Sequence, residues 1–261
     1  MSFPTEASPN GFMSPKGAEL WHSHITEAGD LFRQSPGGLY DQIGKWVEVN
    51  GLGHGNRIID ICCGQGVTSQ IASDKSRAWV TGVDISGPLI QIANTYYSSN
   101  EYLSFQEGDA SRLSNILTGE YDAGMMINGI FHLPPPAMVQ AVAEISRVSQ
   151  GPILITTVNP YANEFFSSAF ANQTRMAVDE HHQHGPTTVV LGDPSIAGPN
   201  GSKIVLTNTP FYWHPMKKMV EAFKKASLEI YAINTFGPTS LVGGPSNLDL
   251  FTAIQLKHTA S

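Results

Sequence analysis

Between residues 57 and 158, short apolar runs alternate with longer amphipathic stretches. The apolar runs predict strands over residues 57–61, 79–85, 102–109, 121–128 and 152–158. The stretches between them predict helices over residues 67–73, 88–98, 111–117 and 135–148. Because parallel neighbouring strands need a helix-length connection, this alternation predicts a parallel, doubly wound α/β sheet.

The alternation ends at about residue 160. A possible helix from Ala162 to about His181 is followed by a stretch rich in Gly, Pro, Asn and Ser. A long insertion of this kind in a compact domain is usually a lid or a binding element. Regular structure is predicted to resume with a helix over 215–226 and two antiparallel strands over 228–234 and 250–257, joined by a turn.

The charge balance narrows the range of partners. The chain has 15 basic and 22 acidic residues among 261, which gives a formal net charge of −7. Nucleic-acid binding usually depends on a basic surface, so this balance argues against a nucleic-acid partner and favours a small molecule. The only two cysteines, Cys62 and Cys63, are adjacent and cannot join distant parts of the fold, which indicates a reducing compartment.

The sequence gives no sign of export or of a membrane anchor. Its first residues hold no basic cluster followed by an apolar run, and no apolar stretch approaches the ~20 residues that cross a bilayer. We therefore expect a cytoplasmic protein, monomeric or homodimeric, with no membrane partner.

Polar and glycine residues gather where the predicted strands end. The first strand runs into Asp60-Ile61-Cys62-Cys63-Gly64-Gln65-Gly66, and Asp84 ends the second strand about 20 residues later. The third strand ends in Asp109-Ala110 and the fourth in Asn128. Because the carboxyl ends of parallel strands share one edge of the sheet, these residues predict a binding crevice there. A carboxylate at Asp84 can accept both hydroxyls of a ribose.

With these four motifs in this order, the segment from Ile58 to Val158 resembles the class I S-adenosylmethionine-dependent methyltransferases. The resemblance implies a Rossmann-like, seven-stranded sheet that is mostly parallel, with an antiparallel last strand and a helical and loop lid insertion. It implies an N-terminal helical cap over the active site at residues 1–50 and a methyltransferase domain at 51–261, with a substrate-binding insertion at about 160–212. The implied cofactor is S-adenosyl-L-methionine and the implied product S-adenosyl-L-homocysteine.

The resemblance also assigns cofactor contacts to the strand ends: Asp60, Cys62, Gly64, Gly66, Asp84, Ile85, Asp109, Ala110 and Asn128. The glycine-rich loop and Asn128 would line the methionine part, and Asp84 would bind the ribose. Ile85 would pack on the adenine, whose amino group would meet Asp109 and Ala110. Cys62 stands where the family usually has a glycine, a variation that resembles the quinone-methylating relatives. A second interpretation remains open, in which Asp84 caps a strand-to-helix turn ahead of Pro88 and Asp109 caps the helix that starts near Ser111.

Histidine can remove a proton from an oxygen or carbon acceptor near neutral pH, although methyl transfer does not always need a base. His132, just past the fourth strand, is the best-placed candidate, and His182 in the insertion is the second. The alternative for His132 is a packed hydrogen-bond donor. The run His181-His182-Gln183-His184 could instead be a solvated helix end, and we predict no metal site, because adjacent histidines on a helix diverge by about 100°.

Aromatic residues outside the predicted sheet suggest a flat, apolar acceptor. We expect the substrate to contact Trp21, Tyr40, Phe131, Phe166 and Trp213, although some aromatic residues of the insertion could be core residues. The combined hypothesis is methyl transfer to a small aromatic or apolar molecule, such as a secondary metabolite. Two alternatives stay open: a cofactor-binding protein that catalyses a cyclisation or rearrangement without methyl transfer, and a non-catalytic cofactor-binding partner.

Overall fold

The computed structural model describes residues 11–15, 17–19, 22, 37–159, 175–176, 186–190, 208–212, 214–238 and 249–259. Its α-helices are α1 (Leu39–Val49), α2 (Val67–Ser76), α3 (Gly87–Tyr96), α4 (Pro135–Val148) and α5 (Met216–Lys225), with short 3-10 turns at Gly11–Met13 and Ile130–His132. Its strands are β1 (Arg57–Ile61), β2 (Trp79–Asp84), β3 (Leu103–Glu107), β4 (Ala123–Met126), β5 (Ile153–Val158), β6 (Arg175–Met176), β7 (Pro186–Val190), β8 (Asn208–Tyr212), β9 (Leu228–Pro238) and β10 (Asp249–His258).

Seven of these strands form one sheet in the order β3-β2-β1-β4-β5-β10-β9. The first five are parallel to one another, and β10 is antiparallel to both β5 and β9. The strand order reverses direction between β1 and β4, and in open α/β sheets this switch point is where ligands bind. The predicted Rossmann-like, doubly wound sheet with an antiparallel last strand is confirmed.

Both faces of the sheet are covered at its centre, which explains why β4 and β5 are buried at every position, whereas the outer strands β3 and β9 keep exposed residues. Successive side chains of a strand point to opposite faces, so Ile58 joins one hydrophobic cluster and Ile59 the other. The Ile58 cluster contains the buried residues of α1, including Trp46, whereas the Ile59 cluster contains residues of α4 and α5, including Phe223. This packing fixes the carboxyl ends of β1, β2 and β4 relative to one another.

The helix predicted over residues 111–117 is wrong. Residues 111–117 form irregular turns instead of a helix. Side chains of α4 satisfy the backbone of this connection: the Arg147 guanidinium donates to the carbonyls of Leu113 and Ile116, both at 2.9 Å, and Glu144 Oε2 accepts the Leu113 N–H at 2.6 Å. Because these backbone groups find partners in α4, the segment does not need helical hydrogen bonds.

The insertion contributes a small antiparallel sheet in the order β6-β7-β8. The predicted helix from Ala162 to about His181 is wrong at Arg175 and Met176, which are extended because they pair with Val190 and Val189 of β7. The rest of that predicted helix lies outside the described residues. No helix in the described part of the chain is long and apolar enough to cross a membrane.

Candidate active site

The loop after β1 turns sharply through three left-handed residues. Cys62, Gly64 and Gly66 have φ angles of 59°, 56° and 85°. A Cβ atom on Gly66 would lie 2.6 Å from the ring of Phe105, so only glycine fits there. A Cβ atom on Gly64 would meet nothing within 4 Å, so the space over Gly64 is open to a ligand.

Asp84, at the end of β2, joins this loop to the next one. Its Oδ2 accepts the Gly64 N–H and its Oδ1 accepts the Ser86 N–H, both at 2.9 Å. The side chain is buried, which raises the pKa of the carboxyl group. Each carboxylate oxygen has two lone pairs, so Asp84 retains acceptor capacity after these two bonds. It therefore holds the loop in place and can also accept ligand hydroxyls.

Asp60 is fully buried at the end of β1, and burial raises its pKa from 3.8 to about 7. Its Oδ2 accepts the hydroxyls of Thr68 and Ser69 at 2.8 and 2.7 Å. Its Oδ1 is buried and has no hydrogen-bond partner among the described residues, and the same holds for both amide atoms of Gln65. Unpaired buried polar atoms are rare in native folds and concentrate where ligands or ordered waters bind.

The two cysteines stand in a setting that suppresses thiol reactivity. Burial raises the pKa of both thiols well above 9.0, and the nearby carboxylates Asp84 and Asp60 add to the effect. Cys62 is half-buried and lies against Gly129 after β4. These thiols stay protonated near neutral pH, so they act as packing residues of the loop.

The end of β3 is much more open. Asp109 is exposed, and its Oδ1 accepts the N–H and the hydroxyl of Ser111 at 2.8 and 2.7 Å. These are capping bonds, but they close a turn and not the start of a helix, because residues 111–117 are not helical. Ala110 is buried in the core, whereas Ile85 is 45% exposed and offers an apolar surface beside β2.

The end of β4 carries Asn128 and the 3-10 turn Ile130–His132. Asn128 has a left-handed φ of 53° and bonds through its backbone N–H and its Oδ1 to the Thr156 hydroxyl, each at 2.8 Å. The ring of His132 lies 5.7 Å from that of Phe12 and 4.6 Å from that of Phe131. The N-terminal segment therefore reaches the turn that carries His132.

His214, between β8 and α5, forms hydrogen bonds with this turn. Its Nε2 lies 3.2 Å from the Ile130 carbonyl and 2.9 Å from the Leu133 carbonyl. Carbonyl oxygens only accept, so Nε2 carries a proton and donates to them. Burial lowers the pKa of His214, which favours the neutral ring with its proton on Nε2.

The predicted site residues divide into three groups. The sheet brings most of them to one edge: Asp60, Cys62, Gly64, Gly66, Asp84, Ile85, Asp109, Ala110, Asn128, Phe131 and His132. Tyr40 lies in α1, where it packs against the Ile58 cluster and lines a groove with Gly44 and Lys75. The remaining four lie outside the residues whose side chains the structure describes: Trp21, Phe166, His182 and Trp213.

Sequence reasoning missed two polar residues at this edge. Gln65 stood between two glycines and carried the only visible signal, a polar side chain inside a glycine-rich turn. Thr156 lay within an apolar strand, and nothing in the sequence indicated that it contacts Asn128. Within the described ranges, no group of three His, Cys, Asp or Glu side chains is arranged to hold a metal ion.

The strand-end region matches a known protein family, and the chain is similar to several known proteins. Residues 58–150 match the family model described as a methyltransferase domain. A ubiquinone biosynthesis O-methyltransferase from Aromatoleum aromaticum is 28% identical over 144 residues, which cover 54% of this chain and 58% of the relative. The chain spans about half the length of the curated relatives it matches.

Two solved structures share the fold at low sequence identity. Magnesium protoporphyrin IX methyltransferase from Synechocystis PCC 6803, with bound SAH, has a TM-score of 0.62 at 12% identity and covers 94% of this chain and 95% of its own. The cyclase SpnF has a TM-score of 0.55 at 15% identity and covers 95% of this chain and 98% of its own. The resemblance inferred from the strand-end motifs is confirmed: residues 58–150 match the methyltransferase domain, and the chain has the fold of the class I S-adenosylmethionine-dependent methyltransferases.

Proposed function

We propose that this protein transfers a methyl group from S-adenosyl-L-methionine to a small-molecule acceptor. The observation that carries the proposal is the Asp84 bridge: one buried carboxylate fixes the glycine-rich loop beneath open space and keeps acceptor capacity for a ribose. The matched methyltransferase domain covers all four strand-end motifs, which supports this use of the edge.

The described residues fit the cofactor along this edge. Asp84 would accept the ribose hydroxyls, and the exposed Ile85 would cover one face of the adenine. Asp109 keeps a second carboxylate oxygen beside its Ser111 bonds and would meet the adenine amino group. The amino-acid end would lie over Gly64, close to the unpaired polar atoms of Asp60 and Gln65.

When bound, the cofactor supplies an electrophilic methyl group on a positively charged sulfur. The carboxyl groups of Asp60, Asp84 and Asp109 lie close to this region, and their ionised forms favour a cation. The remaining contribution of the protein is to hold donor and acceptor in line, which alone lowers the barrier of a displacement reaction substantially. His132 would act as the base that removes a proton from the methyl-accepting atom, where that atom carries one.

The N-terminal cap and the insertion are proposed to form the acceptor pocket. Phe12 contacts the His132 ring and its carbonyl accepts the Ser86 hydroxyl, while β8 packs against the 3-10 turn at Ile130–His132. The pocket would take an aromatic or apolar molecule, in keeping with the quinone pathway named for the Aromatoleum aromaticum relative. A cytoplasmic location, a monomeric or homodimeric state and the absence of a nucleic-acid partner belong to the same proposal.

A cyclisation or rearrangement without methyl transfer is the second candidate. The fold likeness to the cyclase SpnF favours it, because that protein shares the sheet along almost its whole length. The mass of the product separates the candidates, since methylation adds one carbon and two hydrogens and rearrangement adds nothing.

Isothermal titration of the purified protein with S-adenosyl-L-methionine and S-adenosyl-L-homocysteine tests the proposal first. We expect micromolar binding of both, followed by a methylated product when quinol-like and other phenolic acceptors are screened by mass. Absence of binding by either ligand would refute the proposal. With an acceptor in hand, His132→Ala is expected to slow turnover by about 100-fold or more if His132 is the base, and His132→Gln provides the matched polar variant.

A further inference from the structure

Asn128 is held by a single side chain of the neighbouring strand. The Thr156 hydroxyl accepts the Asn128 backbone N–H and donates its own proton to Asn128 Oδ1, with 2.8 Å for each bond. Thr156 is fully buried in β5, and its backbone is fixed by pairing with Ala253 of β10. Asn128 has a left-handed φ of 53°, a conformation that asparagine adopts more readily than other non-glycine residues when its side chain is hydrogen-bonded. Thr156 therefore holds both the backbone and the amide plane of Asn128.

These two hydrogen bonds determine which end of the Asn128 amide is left for a ligand. A carboxamide has one acceptor oxygen and one nitrogen with two N–H donors, and the two atoms diverge by about 120°. Oδ1 faces Thr156 in β5, so the nitrogen turns away from β5. Asn128 is only half-buried, at the sheet edge next to the Cys62–Gly66 loop. The residue consequently presents donors rather than an acceptor to the crevice.

The charge of the crevice makes such neutral donors valuable. The strand-end segments 60–66, 84–87, 107–111 and 128–133 contain no lysine or arginine, whereas they contain the carboxyl groups of Asp60, Asp84, Glu107 and Asp109. A cationic sulfur is attracted by this set, but a ligand carboxylate is repelled. Within these four segments an anionic group finds mainly uncharged N–H donors, and the Asn128 amide supplies two.

We propose that Thr156 is a positioning residue that aims the Asn128 amide donors at the carboxylate of the cofactor's amino-acid end. The proposal rests on the proposed function, because it takes S-adenosyl-L-methionine as the ligand. It assigns Thr156 a role in affinity and not only in stability: without its hydroxyl, the amide can rotate and present its oxygen to the carboxylate.

The test compares Thr156→Val, which keeps the shape of the side chain, with Thr156→Ser, which keeps the hydroxyl. The probes are S-adenosyl-L-homocysteine and 5′-methylthioadenosine, a nucleoside that lacks the amino-acid end. We expect Thr156→Val to weaken S-adenosyl-L-homocysteine binding by about tenfold, the effect of one hydrogen bond, and to leave methylthioadenosine binding within about twofold. Thr156→Ser should restore binding of the first probe.

A double-mutant cycle separates positioning from general damage. In an Asn128→Ala background, Thr156→Val should cause no further loss of S-adenosyl-L-homocysteine affinity, because the group it orients is gone. Should Thr156→Val fail to fold, Asn128→Asp replaces the donors by an oxygen and should weaken the same probe selectively, by tenfold or more.

Three outcomes would overturn the role of Thr156 while wild-type binding persists: unchanged affinity in Thr156→Val, equal loss for both probes, or the full loss repeated in the Asn128→Ala background. An unchanged affinity in Asn128→Asp would overturn it as well. If the wild-type protein binds neither probe nor S-adenosyl-L-methionine, the proposed function fails, and the role of Thr156 in binding fails with it. The binding of the wild-type protein thus distinguishes the two failures.

Discussion

Asp84 and Asp109 both lie at the carboxyl ends of neighbouring strands, Asp84 as the last residue of β2 and Asp109 two residues past the end of β3, yet their carboxylates are bound differently. Asp84 is 7% exposed and joins two loops through the N–H groups of Gly64 and Ser86. The carboxylate of Asp109 is exposed and, among the described residues, accepts hydrogen bonds only from Ser111, two residues away. The Asp84 carboxylate therefore holds two loops of the site together, whereas the Asp109 carboxylate stabilises only its own turn.

The difference follows from the position of each strand in the sheet. β2 lies between β1 and β3, so its end is surrounded by two loops, whereas β3 is the edge strand and its end has one neighbour. An aspartate at the end of a strand therefore does not always stabilise the site. The number of loops around the strand end determines whether it does.

The largest effect is expected from Asp84→Ala. Bonds to a charged group contribute about 1.5–3 kcal/mol each, or about 3–6 kcal/mol for both. Removing the buried charge offsets part of this loss, so the free energy of unfolding should fall by about 2–4 kcal/mol. S-adenosyl-L-homocysteine affinity should fall by about 100-fold or more, because the ribose acceptor and the loop support disappear together. Urea unfolding and calorimetric titration measure the two losses. An unchanged affinity would remove Asp84 from the ribose site.

Two glycine substitutions in one loop should separate stability from binding. Gly66→Ala places a Cβ atom 2.6 Å from Phe105 at a φ of 85°, so strain and overlap should cost about 2–4 kcal/mol of stability. Gly64→Ala at a φ of 56° meets open space and should cost only about 1–2 kcal/mol. Its new methyl group should instead weaken S-adenosyl-L-homocysteine binding. If Gly64→Ala binds like wild type, the ligand does not pass over Gly64.

Asp60→Asn should change the pH dependence of stability. The folded pKa of Asp60, about 7, lies above the ordinary value of 3.8, so the folded state holds a proton that the unfolded state releases between these values. Asp60 therefore costs the wild-type protein stability as pH rises from about 4 to 7. The difference in melting temperature between Asp60→Asn and wild type should therefore be more favourable to the variant at pH 8 than at pH 5. A constant difference between the two proteins would contradict this.

The smallest effect is expected from Asp109→Ala. The exposed side chain stabilises only its own turn, so the loss of stability should stay below about 1 kcal/mol. If Asp109 contacts the adenine amino group as proposed, S-adenosyl-L-homocysteine affinity should fall by no more than about tenfold. Asp109→Asn is the matched variant that keeps the turn bonds. A loss as large as that of Asp84→Ala would erase the contrast between the two residues.

The sheet could be predicted from the sequence because its signals are local. Apolar runs bounded by glycine and aspartate mark β1 to β5, and the helix predicted over 135–148 has the bounds of α4. The strand-end residues followed from the same pattern, since parallel strands bring their carboxyl ends together.

The sequence-based predictions fail where tertiary contacts determine the local structure. The 111–117 segment has helical spacing but its backbone is satisfied by Arg147 and Glu144, more than 25 residues away along the chain. The extended Arg175–Met176 depends on β7, and the Thr156 contact with Asn128 depends on strand register. Local periodicity contains no information on such partners.

The place of β10 between β5 and β9 also has a consequence for the order of folding. β9 precedes β10 in the chain but touches the rest of the sheet only through it. The Asn159 side chain, just past β5, donates to the Asp249 carbonyl in β10 across 90 positions of sequence, so closing this part of the sheet carries the entropy of a long loop. The five parallel strands can associate before this step, whereas β9 must wait for β10. Backbone protection in β9 and β10 should therefore arise together and late during refolding.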